Sequence, residues 1–242
     1  MSLAHRLRIH EEASGCSVYL YSLFVGAGCE SRLLVGFTSR ALFVAAPGGN
    51  DSAVWGPAGG PDNFSLGNSY AITSSGGLGI SASMPGTDNM ALETQSCSPF
   101  SWCGNFAPGD RVLFTGDNPD TLRLTFGSSI SGVGFQMQQN VLSPLFLGTL
   151  SAFESANNLL GFFAENGMSN ANNDNSAISL GVLDTTGANI AYVTIGDSDN
   201  QDRGFGINQL SLKTTAAVPQ PASVVLLLTG IAALWVRQRW AS

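Results

Sequence analysis

Alternation of period two governs the middle of this chain. In Thr121-Leu122-Arg123-Leu124-Thr125-Phe126 the apolar side chains fall on one face and Thr121, Arg123 and Thr125 on the other, the pattern of a strand with one buried and one wet side. Similar segments recur at residues 70–73, 78–83, 111–115, 132–137, 148–154, 159–163, 178–182, 190–195 and 206–212. Between them, Gly116-Asp117-Asn118-Pro119-Asp120, Asn157-Asn158 and Asp184-Thr185-Thr186-Gly187-Ala188-Asn189 supply residues that tolerate positive φ or close Asx turns. About ten short strands spaced 8–15 residues apart, without intervening helices, predict an all-β chain: an antiparallel β-sandwich, jelly-roll-like in topology. One short helix is expected ahead of them, capped by Thr38 or Ser39, running through Arg40-Ala41-Leu42-Phe43-Val44-Ala45-Ala46 and stopped by Pro47-Gly48-Gly49. Residues 166–176, with five asparagines and Asp174, read as loop, because so many amides are costly to bury.

Composition narrows the partners. Charged residues make up only 11% of the chain, against roughly 25% in an average soluble domain, so Ser, Thr, Asn, Gln and Gly must build the surface. Such a neutral, hydroxyl- and amide-rich surface suits a secreted β protein. The net charge is −7, and residues 31–216 hold six basic against 14 acidic residues. With one lysine, Lys213, and five scattered arginines, this body has no basic stripe for a phosphate backbone, so nucleic acid is excluded as a partner. The remaining basic residues, Arg6 and Arg8 near the start and Arg237 and Arg239 near the end, flank more apolar stretches as topology-setting charges do.

Candidate chemistry in the body is sparse. His5 and His10 are the only histidines and both precede the strands, which removes histidine-based triads and histidine-ligated metals from the folded body. Glycosidase chemistry would need two carboxyls facing one bond, from Glu93, Glu154 and Glu165, each of which also reads as a solvated residue. The chain is therefore not expected to be an enzyme. Of four cysteines, Cys97 and Cys103 enclose Ser-Pro-Phe-Ser-Trp and in an oxidising compartment could close a small disulfide. Asp197-Ser198-Asp199-Asn200-Gln201-Asp202 reads as a solvated acidic turn, with calcium held by Asp197, Asp199 and Asp202 as the alternative. Trp55 and Trp102, in glycine- and proline-rich loops, are the candidates for stacking on a sugar, whereas Tyr192 sits in an apolar strand.

After Lys213 the pattern changes. Val218-Pro219-Gln220-Pro221 leads into an uncharged apolar run over residues 222–236, followed by Arg237-Gln238-Arg239-Trp240. The prolines stiffen an extended entry and end any helix before it. Fifteen residues at about 1.5 Å each span about 22 Å, short of a hydrocarbon core of roughly 30 Å, so a weak or transient span is expected, with the arginines snorkelling. Positive-inside bias leaves the last residues cytoplasmic and the sandwich outside.

This order of features resembles the PEP-CTERM sorting region of Gram-negative bacteria, whose pattern is a Pro-Glu-Pro motif, a short transmembrane helix and a basic end. Here Pro219, Gln220 and Pro221 occupy the motif, with Gln220 in place of the usual glutamate. The resemblance implies recognition by an exosortase, transient residence in the inner membrane, and association with extracellular polysaccharide and biofilm. Residues 38–46 and 204–212 are similar to the opening helix and closing strand of domains that often precede such a tail. The expected organisation is an N-terminal segment over 1–37, read as a degenerate export signal or a misassigned start, a sandwich over 38–214 and a sorting tail over 215–242. The expected function is that of an exported cell-surface or matrix protein. The alternatives are a carbohydrate-binding module on the same anchor and a glycoside hydrolase.

Overall fold

The computed structural model describes residues 19–22, 33–57, 61–86, 89–116, 120–142, 145–197 and 204–214. Sixteen strands and one helix lie among them, in two antiparallel sheets whose inner faces share one core. The larger sheet runs β1 (Tyr19–Ser22), β2 (Leu33–Phe37), β13 (Ile178–Asp184), β10 (Gly132–Gln139), β15 (Phe205–Ile207), β8 (Arg111–Phe114), β7 (Met90–Thr94), β4 (Phe64–Gly67). Off this path, β16 (Leu210–Thr214) pairs with β10 and with β3 (Gly49–Ala53). The smaller sheet runs β12 (Leu159–Met168), β11 (Leu145–Phe153), β14 (Ile190–Asp197), β9 (Leu122–Ile130), β6 (Gly79–Ser83), β5 (Ser69–Thr73). This is twice the strand number of a simple eight-stranded jelly roll.

Two sequence expectations change. The sheet begins before residue 38, since β2 pairs with β13 and β1 pairs with β2, so part of the segment 1–37 belongs to the sandwich. Residues 206–212 are not one strand but the end of β15 and the start of β16, separated by Asn208 and Gln209. Period two does place β9 as expected: Leu122, Leu124 and Phe126 are buried in the core to which the other sheet contributes Val133, Phe135 and Met137.

β10 departs from that period because all eight of its residues are buried. Its inner face carries the three apolar side chains just named, and its outer face carries Gly132, Gly134, Gln136 and Gln138. The helix α1 (Arg40–Ala45) covers the glycines. A Cβ at Gly134 would lie 3.1 Å from the Phe43 ring, so hydrogen at this position is what lets the helix approach. Neither Thr38 nor Ser39 makes the side-chain cap that the sequence suggested. α1 is held instead from its other end by Lys213, which is fully buried. Its Nζ donates to the carbonyl oxygens of Val44 (2.7 Å) and Ala46 and to Asn50 Oδ1 (2.6 Å). Three N–H donors meet three oxygens, and the positive charge sits where the helix dipole is negative. Burial lowers the Lys213 pKa from its ordinary value.

Asn208 fills the break between β15 and β16. Its Oδ1 accepts from the Gln136 N–H (2.9 Å), its own N–H donates to the Gln136 carbonyl (3.2 Å), and its Nδ2 donates to Gln136 Oε1 (2.7 Å) and Asp110 Oδ2 (2.9 Å). The side chain thus supplies the rung that the ladder lacks at this point.

Both groups are buried donors whose removal strands acceptors, at about 1–3 kcal/mol for each group left unsatisfied. Lys213→Met is expected to lower the unfolding free energy by about 2 kcal/mol, and Asn208→Ala by about 3 kcal/mol, as read from urea midpoints at unchanged slope.

Candidate functional site

Two loops cover the glutamine end of β10. The first, residues 95–110, folds back over the outer face of β7 and β8, and Cys97 and Cys103 close it with a disulfide. Beneath it Trp102, Phe106, Val112 and Ala177 form a second apolar cluster with Phe114, the Trp102 and Phe114 ring centroids 5.3 Å apart. The second loop, residues 169–177, lies between β12 and β13, with Asn173 and Asn175 at positive φ. The two loops are tied together through the amides of the sheet. Gln138 Oε1 accepts from Trp102 Nε1 (3.2 Å) and the Asn105 N–H (2.8 Å), while its Nε2 donates to the Asn170 carbonyl (3.1 Å). Gln95 Nε2 donates to the Gly104 carbonyl (3.0 Å) and Asn173 Oδ1 (3.1 Å). Gly104 is required here, because any Cβ would collide with Gln138 Oε1 and Trp102 Nε1.

Where the disulfide loop meets the end of β10, a half-open cleft of about 250 Å³ is lined by Glu93, Ser101, Trp102, Cys103, Gln138, Gln139, Asn140 and Leu142. Glu93 is its one ionisable side chain. It stands on β7 opposite Val112, on the sheet's outer face, and its carboxyl has no hydrogen-bond partner among the described residues. Desolvation by burial and the nearby Asp62 carboxylate push its pKa from 4.5 up to about 7. The Arg111 guanidinium donates to Asp62 Oδ1 (3.1 Å), Thr94 Oγ1 (2.7 Å) and the carbonyls of Pro61 (3.3 Å) and Trp55 (3.4 Å), and none of these bonds reaches Glu93.

The structure reassigns two of the residues singled out from sequence, Trp55 and Trp102. Trp55 is 0% exposed and Trp102 3%. Trp55 Nε1 donates to the Asn208 carbonyl (2.7 Å), and the indole belongs to the core. Neither ring offers a face on which a sugar could stack from solvent, which corrects the expectation for both. The Cys97–Cys103 pairing is present. Asp197 ends β14, while Asp199 and Asp202 lie outside the described residues, and no metal-binding group of three His, Cys, Asp or Glu occurs among those described. Pro219, Gln220, Pro221, Arg237 and Arg239 also lie outside them. No helix among the described residues is long and apolar enough to cross a membrane. Of the carboxyls considered for glycosidase chemistry, Glu93 is in the larger sheet and Glu165 in the smaller. Glu165 pairs with Gly148, six residues before Glu154, which directly follows β11, so those two stand about 20 Å apart along the strand direction.

Sequence reasoning passed over Glu93 as a cleft residue and did not single out Gln136, Gln138 or Asn208. The available signal was the Gln-x-Gln-Gln run at 136–139 in a strand whose alternate positions are apolar.

No family model matches this chain, and no curated protein matches it. Among solved structures it is similar to a DUF4465 family protein from Bacteroides caccae ATCC 43185, at 12% identity and a TM-score of 0.39, over 74% of this chain and 98% of that one. It is also similar to a glycoside hydrolase family 43 arabinoxylan arabinofuranohydrolase from Bacillus subtilis in complex with cellotetraose, at 10% identity and a TM-score of 0.30, over 84% of this chain and 53% of that one. The enzymatically active domain of bacteriophage CBA120 tailspike protein 4 matches at 11% identity and a TM-score of 0.19, over 53% and 19%. At these scores the likenesses carry no argument about activity.

Two measurements probe the site. For Glu93 the folded pKa lies above the unfolded one, so between pH 4.5 and about 7 the unfolded chain releases its proton first and stability falls as pH rises. Glu93→Gln should remove that fall and leave the protein about 1 kcal/mol more stable than wild type at pH 8, a figure reduced for solvent screening of a half-exposed group. For the loop, Cys97→Ser with Cys103→Ser should cost about 2 kcal/mol from the reopened loop and speed amide exchange over residues 95–110.

Proposed function

We propose that this chain is an exported, non-catalytic interaction protein of the cell envelope or extracellular matrix, sorted and processed through residues 215–242. The observation that carries the reading is the Cys97–Cys103 disulfide, because such bonds form and persist in oxidising compartments and are rare in the cytosol. The low content of charged residues agrees with it. The order Pro219-Gln220-Pro221, apolar run, Arg237 and Arg239 then supplies the route: insertion in the inner membrane, recognition by an exosortase, and release outward, with matrix polysaccharide as the surrounding partner. The histidine-free strand region and the separation of the carboxyls support a binding or structural role over hydrolysis.

The test is expression of the full chain with an epitope tag between Lys213 and Val218, in hosts with and without an exosortase. The expected result is exosortase-dependent loss of about the last 20 residues, seen as intact mass, together with an oxidised Cys97–Cys103 pair in the released protein. An unchanged mass, with the chain retained in the inner membrane of both hosts, would overturn the sorting step. A reduced cysteine pair in a cytosolic fraction would overturn export.

A further inference from the structure

The other carboxylates near turns of this sandwich are used by the fold. Asp51 accepts from the Ser74 and Ser75 hydroxyls and the Ser52 and Gly76 amides. Asp184 accepts from Thr186 and Asn189, Asp110 from Asn208, and Asp62 from Arg111. Glu93 receives no hydrogen bond from the described residues, yet it is half-buried in the wall of a formed cleft.

The surroundings select the ligand. An anion would meet the Glu93 carboxylate, the one charged group of the lining, while the nearby Arg111 guanidinium is paired with Asp62 outside the cleft. A neutral ligand gains little from that field, whereas a cation is attracted by it. Calcium and other hard cations want six or more oxygens and more than one carboxylate, which the lining does not supply. A primary ammonium has three N–H donors and suits one carboxylate with amide oxygens beside it. Asn140 lines the cleft and carries such an amide, and Leu142 offers an apolar edge. At about 250 Å³ the space is below that of a drug-sized pocket and takes a ligand of about one ring.

We propose that the cleft between the Cys97–Cys103 loop and the end of β10 binds a small primary-ammonium ligand of amino-sugar size, with Glu93 as the counter-ion and Asn140 as a positioning amide. The site holds whether or not residues 215–242 are processed, so failure of either proposal leaves the other standing.

The experiment is a chemical-shift titration of the full-length protein in detergent, with glucosamine and N-acetylglucosamine at pH 7.0 and 5.5. Glucosamine should give saturable shifts at pH 7.0 that map to the side-chain amides of the cleft. Acidification to pH 5.5 should weaken it about 15-fold, the drop in the ionised fraction of a carboxyl that titrates at about 7. N-acetylglucosamine, which has the ring without the charge, should bind at least tenfold more weakly at pH 7.0. Glu93→Gln should lose at least tenfold in affinity together with the pH dependence, and Asn140→Ala several-fold with the pH dependence kept. Near-UV circular dichroism checks that both variants are folded. Equal binding of the two sugars, unchanged binding by Glu93→Gln, or no saturable shift with glucosamine would each overturn the proposal.

Discussion

The requirement that β10 be covered on both faces organises this molecule. A strand at the centre of a sandwich ordinarily has one face to bury, yet here helix and loops close over the other face as well. The glycines at one end of the strand solve that problem by removing side chains, which lets Phe43 lie on the backbone. Gln136 and Gln138 at the other end solve it differently. A buried amide without partners costs several kcal/mol, so each glutamine must find donors and acceptors in whatever covers it. Trp102, Asn105, Asn170, Asn175 and Asn208 are those partners. The loops over 95–110 and 169–177 are therefore specified by hydrogen bonds as much as by their small apolar cluster.

A loop fixed in this way can hold a charge at a cost. The disulfide and the Trp102 indole keep the 95–110 loop against β7 and β8, and the edge of that cover leaves Glu93 short of both water and partners. The fold accepts a carboxyl that ionises near neutrality because Gln138 and Asn105 stabilise the same cover from the other side. In the opposite direction, Lys213 is a buried cation fully matched by three oxygens. One ionisable group is thus built into the structure while the other is left available, and this difference separates a structural charge from a candidate ligand contact.

Much of the smaller sheet was legible in the sequence because β11 and the first half of β9 bury one face, so period two survives in the residues. β10 was located over 132–137, but Gln136 and Gln138 were not singled out, since alternation does not tell covered amides from solvated ones. β1 and β2 were missed because they lie in a segment whose charges and glycines resemble a failed export signal. Trp55 and Trp102 misled for a related reason: glycine and proline mark a loop, but they do not say whether the loop folds back. The cysteine spacing, by contrast, needs only a short loop and an oxidant, and that local information sufficed. Glu93 could not have been distinguished from Glu154 or Glu165, because its perturbation comes from Asp62 and a loop that meet it only in the folded state.

The arrangement along β10 also sets where the cleft stands relative to the buried Lys213. Lys213 and Thr214, where the described chain ends, pair with Asn50 and Gly49, and Lys213 pairs on its other side with Gly132 at the start of β10. The cleft is lined by Gln138, Gln139 and Asn140 at the far end of that same strand. Eight residues at about 3.3 Å each separate the two, or about 25 Å. The last described residues of the chain and the Glu93 cleft therefore lie at opposite ends of β10. The strand that must be buried on both faces is thus also the strand that keeps the cleft apart from the Lys213 end of the sandwich.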